Sequence, residues 1–170
     1  MEKGVIELLK ISSQYLTEHG VESPRLDAEV LLADVLKTDR IGLYVNYDRP
    51  ISKDELSRYR MYIARRAQRI PVAYITGKKE FMSLDFCVED GVLIPRPDTE
   101  VLIDETVKFL NSRPIKAPKI LDLCTGTGAI ACSLAKEFVD AVVVATDISE
   151  RAISVACRNV EKLGLSHNVT

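Results

Sequence analysis

One stretch, residues 119–147, restricts this chain to a narrow set of folds. Lys119-Ile120-Leu121-Asp122-Leu123-Cys124 is an apolar strand pattern that runs into the Gly/Thr loop Thr125-Gly126-Thr127-Gly128, and Ala129 to Ala135 opens a helix behind it. A second apolar run, Ala141 to Thr146, ends at Asp147, about twenty residues beyond the loop. A loop poor in side chains lets backbone approach a ligand, and a helix N-terminus favours an anionic group there. An acid closing the next strand offers two acceptor oxygens to a ribose diol. The order strand (119–124), helix (about 128–138), strand (141–147), helix (150–163) predicts β-α-β units on a parallel sheet, with Gly164 closing the last helix. Asn168-Val169-Thr170 reads as the entry to a third strand, and on this reading the chain is part of a longer protein.

The residues before this stretch have a different character. Val5, Leu8, Leu9, Ser12 and Leu16 fall at helical spacing before Gly20, and Ser23-Pro24 starts a second helix whose stripe is Ala28, Leu31, Leu32, Val35 and Leu36. Asp39 is expected to cap a short third helix. Ser52 and Glu55 form a capping box for a fourth, carried by Leu56, Tyr59, Ile63, Ala67 and Ile70. Residues 80–88 largely alternate apolar and polar, as a strand or hairpin does. After Pro95 and Pro97, either Asp98 or Thr99 can cap a helix carried by Val101, Leu102, Val107, Phe109 and Leu110. The expected division is a helical domain over 1–76, a hairpin connector over 77–95 and an α/β domain over 96–170.

Composition removes several function classes. With 23 basic and 25 acidic residues the net charge is −2, so no global polycation announces nucleic-acid binding. No apolar run approaches the roughly 18 residues of a membrane span, and Met-Glu-Lys-Gly-Val lacks a secretory pattern; a soluble, cytoplasmic protein is expected. The four cysteines, Cys87, Cys124, Cys132 and Cys157, form no C-x-x-C pair and read as reduced packing residues. His19 and His167 stand apart from any cluster of metal-ligand spacing, so no metal site is expected. Arg58, Arg60, Arg65, Arg66 and Arg69 run without an intervening acid, as a solvated helix face or an electropositive patch.

The loop itself fits two cofactor classes. Gly126-Thr127-Gly128-Ala129-Ile130-Ala131 matches the dinucleotide fingerprint, with an acid at the expected distance. Against it stands Asp122, an acid inside the strand, and a helix ahead of that strand. Asp122-Leu123-Cys124-Thr125-Gly126-Thr127-Gly128 resembles motif I of S-adenosylmethionine (SAM) methyltransferases, with Cys124 where that motif usually has glycine.

The stretches Gly77 to Phe86 and Gly91-Val92-Leu93-Ile94-Pro95-Arg96-Pro97-Asp98-Thr99-Glu100 resemble the linker and entry segment of peptide chain release factor glutamine N5-methyltransferases, the HemK family. With the helices before and the loop after, the resemblance spans the chain in order. It implies a helical substrate-docking domain, a β-hairpin connector and the start of a Rossmann-like SAM-binding domain. It also implies SAM as cofactor and class 1 release factors as protein substrate, methylated on the glutamine amide of their Gly-Gly-Gln motif, without membrane or direct nucleic-acid partners. The implied cofactor residues are Cys124, Thr125, Gly126, Thr127, Gly128 and Asp147, with Asp122 added. Arg96, Pro97, Thr99 and Glu100 are expected to line the pocket. The family's Asn-Pro-Pro-Tyr motif, which holds the substrate amide, does not occur in these residues. No catalytic residue is therefore assigned, and the chain alone is expected to be inactive. The alternatives are another N-methyltransferase, acting on a nucleobase or a ribosomal protein glutamine, and a non-catalytic docking module.

Overall fold

The computed structural model describes residues 4–170, which cluster into two compact units meeting in sequence at Thr76 and Gly77. The first is all helical. Helix α1 spans Val5–Glu18, α2 Pro24–Leu36, α3 Arg40–Val45, α4 Lys53–Ala67 and α5 Val72–Thr76. The buried residues of α1 are Val5, Leu8, Leu9, Ser12 and Leu16, the expected stripe, because positions three and four apart share one face of a helix. Gly20 takes a left-handed φ of 67° beyond α1, a conformation glycine adopts without steric cost. Ser52 accepts from the Glu55 amide (3.2 Å) while the Glu55 carboxylate accepts from the Ser52 amide (2.9 Å), completing the capping box. Asp39 caps α3 by accepting from the Gly42 amide at 2.6 Å.

Polar contacts that local pattern cannot reveal lie inside this unit. Glu29, on the buried face of α2, accepts from Arg40 (2.6 and 2.9 Å), Arg25 (3.0 Å) and the Tyr44 hydroxyl. Burial pushes the Glu29 carboxyl up, but the hydrogen bonds from Tyr44, Arg40 and Arg25 outweigh it and hold the group below the usual carboxylate range. The arginine run is not a uniform face. Arg66 turns inward, donating to Asp27 at 2.6 Å and to the Ile70 carbonyl at 3.3 Å, whereas Arg58 and Arg60 stay exposed. The short helix α5 had no expectation from the sequence.

The second unit begins with an antiparallel hairpin, β1 (Lys78–Phe81) with β2 (Leu84–Cys87), paired from Lys78 with Cys87 to Phe81 with Leu84. A 3-10 turn, Pro97–Thr99, leads into α6 (Glu100–Asn111). Neither Asp98 nor Thr99 caps this helix through its side chain. Thr99 is already helical (φ −72°, ψ −19°), so it lacks the extended backbone from which an N-cap side chain reaches forward. The apolar face of α6 also differs from expectation: Ile103 is its buried residue, while Val101, Leu102 and Phe109 are exposed and Val107 only half-buried.

Strands β3 (Lys119–Leu123) and β4 (Val142–Thr146) are parallel and in register, with α7 (Ala129–Glu137) between them in sequence and α8 (Glu150–Lys162) after them. Val169 bridges Val143 in parallel, and Thr170 and Asn168 exchange backbone hydrogen bonds with Val143, so the expected third strand starts on the far edge of β4. Alternation splits the sheet into two faces. Val143 and Asp122 are buried on one, beside α7, and Leu121, Leu123, Val142 and Val144 are exposed on the other. All four cysteines are unbonded, but their reading as packing residues holds only for Cys132. Cys124 and Cys157 are exposed and Cys87 is half-buried.

Candidate functional site

The in-register strands end together, Leu123 opposite Thr146, so the loop after β3 and the acid after β4 emerge side by side. The Thr125 amide donates to the Thr146 carbonyl at 2.9 Å, carrying the ladder one step past β3. Beyond it the Gly126 amide donates to Asp147 Oδ2 at 2.9 Å, and the Ser149 amide donates to Oδ1 at 2.9 Å. These two expected site elements therefore meet directly. The amides of Ser149 and Gly126 hold the Asp147 carboxyl below its ordinary pKa, because hydrogen bonds to the charged form favour it.

Asp122 lies under the loop. Its Oδ2 accepts from the Thr125 hydroxyl at 2.6 Å and from the Ala131 amide at 3.2 Å, in the first turn of α7. An acid is well placed against the donor end of a helix. Here it joins strand, loop and helix from the interior. Burial, with the Asp122 charge adding to it, pushes the Cys132 thiol up to about 12, so that cysteine stays protonated.

Backbone conformation separates the loop residues. Cys124, Gly126 and Gly128 have φ of 61°, 57° and 78°. The left-handed region costs a residue with a Cβ about 1–2 kcal/mol, so Cys124 keeps the conformation of a glycine position at some strain. A Cβ on Gly126 would meet nothing within 4 Å. At Gly128 it would lie 3.3 Å from Cβ of Ala156, so here the missing side chain also makes room for α8. Cys124 is exposed, Gly126 and Asp147 half-buried, and Thr125, Thr127 and Gly128 buried.

Arg96, Pro97 and Thr99 sit at the turn before α6 and Glu100 opens that helix, and their hydrogen bonds are made within the turn and to the hairpin. The Thr99 amide donates to the Arg96 carbonyl at 3.0 Å, and Glu100 Oε1 accepts from the Met82 amide of the hairpin turn at 3.1 Å. Asn159, which no sequence pattern singled out, does reach the loop: its Nδ2 donates to the Thr127 carbonyl at 2.8 Å. A lone asparagine in an amphipathic helix carries no local mark of such a contact.

Residues 7–77 match the family described as the PrmC N-terminal domain, and residues 115–170 match a methyltransferase domain. The chain is 47% identical over 150 residues to the release factor glutamine methyltransferase of Geobacter sulfurreducens, covering 88% of this chain and 51% of that protein. It is 41% identical over 170 residues to the one from Rhodopirellula baltica, covering 98% of this chain and 57% of that protein. For the one from Clostridium acetobutylicum the values are 46% over 143 residues, 84% and 50%. The chain thus spans about half the length of the curated relatives it matches. Over 84–98% of its own length it is similar to these release factor glutamine methyltransferases.

Proposed function

We propose that these residues supply the cofactor half of an enzyme that transfers a methyl group from SAM to the side-chain amide of the Gly-Gly-Gln glutamine in class 1 release factors, in the cytoplasm. The observation that carries this reading is the hydrogen bond between Gly126 and Asp147, in a chain similar to the three release factor glutamine methyltransferases named above. A carboxylate offers about four lone-pair positions. Two are taken by the Gly126 and Ser149 amides, which leaves two for the vicinal hydroxyls of a ribose and fixes the carboxylate's orientation beforehand. The backbone from Cys124 to Gly128 passes the ribose and amino-acid parts of the cofactor, and the start of α7 favours its carboxylate. Asp122 acts from beneath by holding Thr125 and α7. SAM supplies an electrophilic methyl on a sulfonium.

An amide nitrogen is a poor nucleophile because its lone pair is delocalised, so the acceptor must be held in line with that methyl. The tetrapeptide expected to do this, Asn-Pro-Pro-Tyr, is absent from the 170 residues. This chain by itself is accordingly proposed to bind cofactor without transferring the group. Arg96, Pro97 and Thr99 are proposed to border the pocket, with Glu100 anchoring their turn to the hairpin. The decisive experiment is mass spectrometry of a class 1 release factor incubated with SAM and a protein that extends this chain to its relatives' length. One methyl group on the Gly-Gly-Gln glutamine is expected; a methyl on any other residue overturns the substrate assignment.

A further inference from the structure

We propose that Asn159 is a positioning residue for the cofactor loop, locking the Thr127 carbonyl to the backbone of the hairpin at Cys87. The proposal deepens the cofactor reading above and rests on it for the ligand, though not for the geometry. Asn159 lies on α8 with 0% of its surface exposed. A buried primary amide is costly unless its donors and acceptor are used. Here all are: Oδ1 accepts from the Cys87 amide at 2.7 Å, and Nδ2 donates to the Cys87 carbonyl at 3.0 Å and to the Thr127 carbonyl at 2.8 Å. Towards Cys87 the side chain behaves as a neighbouring strand residue would, matching one N–H and one C=O. Towards Thr127 it spends its remaining donor.

The choice of residue follows from this arrangement. Aspartate has the acceptor but no donor, and would set a carboxylate against two carbonyl oxygens. Alanine would take away the partner of three backbone groups, the half-buried N–H and C=O of Cys87 and the buried C=O of Thr127. Other α8 side chains also grip the connector: Lys162 donates to the Asp85 carbonyl (2.7 Å), Arg158 to Glu89 (2.6 Å) and Arg151 to the Asp90 carbonyl (3.0 Å). These three are exposed and bond only the connector. Asn159 bonds both. Thr127 stands between Gly126, whose amide holds Asp147, and Gly128, which lies against Ala156 on the same face of α8. A loop that must present backbone to a ligand is thus fixed on one side by Asp147 and on the other by α8.

The test uses the full chain, with Asn159→Ala and Asn159→Asp set against Arg158→Ala and Lys162→Ala. Amide hydrogen exchange without cofactor should speed up about tenfold or more at Gly126, Gly128 and Cys87 in both Asn159 variants, the cost of a lost buried hydrogen bond. In the controls, exchange at Gly126 and Gly128 should stay unchanged. Calorimetric SAM affinity should fall about tenfold or more in the Asn159 variants and hold in the controls. If Asn159→Ala does not fold, Asn159→Ser, which keeps a single donor, gives the same readout. Unchanged loop exchange in a folded Asn159 variant overturns the proposal. The expected exchange pattern across the variants, together with no SAM binding by the wild-type chain, overturns the cofactor reading and leaves the positioning role standing.

Discussion

The helical unit and the sheet unit use apolar residues differently. In the helical unit the stripes expected from spacing, Val5 to Leu16 on α1 and Ala28 to Val35 on α2, are buried against neighbouring helices of the same unit. In the sheet unit β3 and β4 are apolar on both faces, as parallel strands are. There α7 packs on one face, while Leu121 and Leu123 remain 60% and 67% exposed on the other. An amphipathic helix needs one partner surface, and a parallel strand needs two. The same apolar side chain is therefore worth very different amounts in the two units.

The largest expected contrast tests that statement directly. Leu31→Ala should destabilise the helical unit by roughly 3 kcal/mol, through lost transfer energy and the cavity left behind. Leu121→Ala should change stability by no more than about 0.5 kcal/mol. Urea unfolding of both variants, resolved by hydrogen exchange, measures the two costs, and comparable values would break the comparison.

Next in size is a pair within the helical unit. Arg66→Ala removes a charged hydrogen bond to Asp27 in a mostly buried setting and should cost about 2 kcal/mol. Arg58→Ala, on an exposed position, should cost a few tenths at most. Thermal denaturation of the two distinguishes an internal tie from a solvated face.

A gain of about 1 kcal/mol is expected in the sheet unit from Cys124→Gly, which relieves the left-handed strain of a residue with a Cβ. Urea midpoints report it, and a loss instead would mean that the thiol makes a contact worth more than the strain.

The smallest effect concerns pH. The Asp147 pKa is lower in the folded chain than in the unfolded one, so at acid pH the unfolded state binds more protons and stability rises with pH. The contribution is present above the unfolded value, about 3.9, and disappears as pH falls through the lower folded value. Asp147→Asn should remove this acid limb from hydrogen exchange at Gly126 and Ser149. The corresponding limb in the helical unit should persist. It arises from Glu55, held down first by the Ser52 amide and further by Arg49, and from Glu29, held down by Tyr44 and its arginines.

Caps, left-handed glycines and helical stripes are local, and several such expectations met the structure: the capping box at Ser52, Asp39 on α3, and Gly20 after α1. The meeting of loop and Asp147 was also legible. A loop after one strand and an acid after the next emerge together whenever the two strands are adjacent and parallel. Expectations failed where the outcome depended on a partner remote in sequence. Spacing on α6 offered Val101, Leu102 and Phe109 as well as Ile103, and only the packing of that helix chose Ile103. One failure was local: the 3-10 turn Pro97–Thr99 leaves Thr99 already helical, and it does not cap α6.

The sequence by itself determined the order and type of the elements other than α5 and the 3-10 turn, the glycine loop and its acid, because hydrogen-bonding periodicity and turn chemistry act over a few residues. Tertiary structure alone decided that Asp122 holds the loop from within and that Gly128 yields space to Ala156. It also decided that Arg66 pairs inward and that Asn159 joins hairpin to loop. Each of these depends on which polar or small group lies opposite once the chain has closed on itself. A buried polar side chain is stable only when the fold supplies its partners.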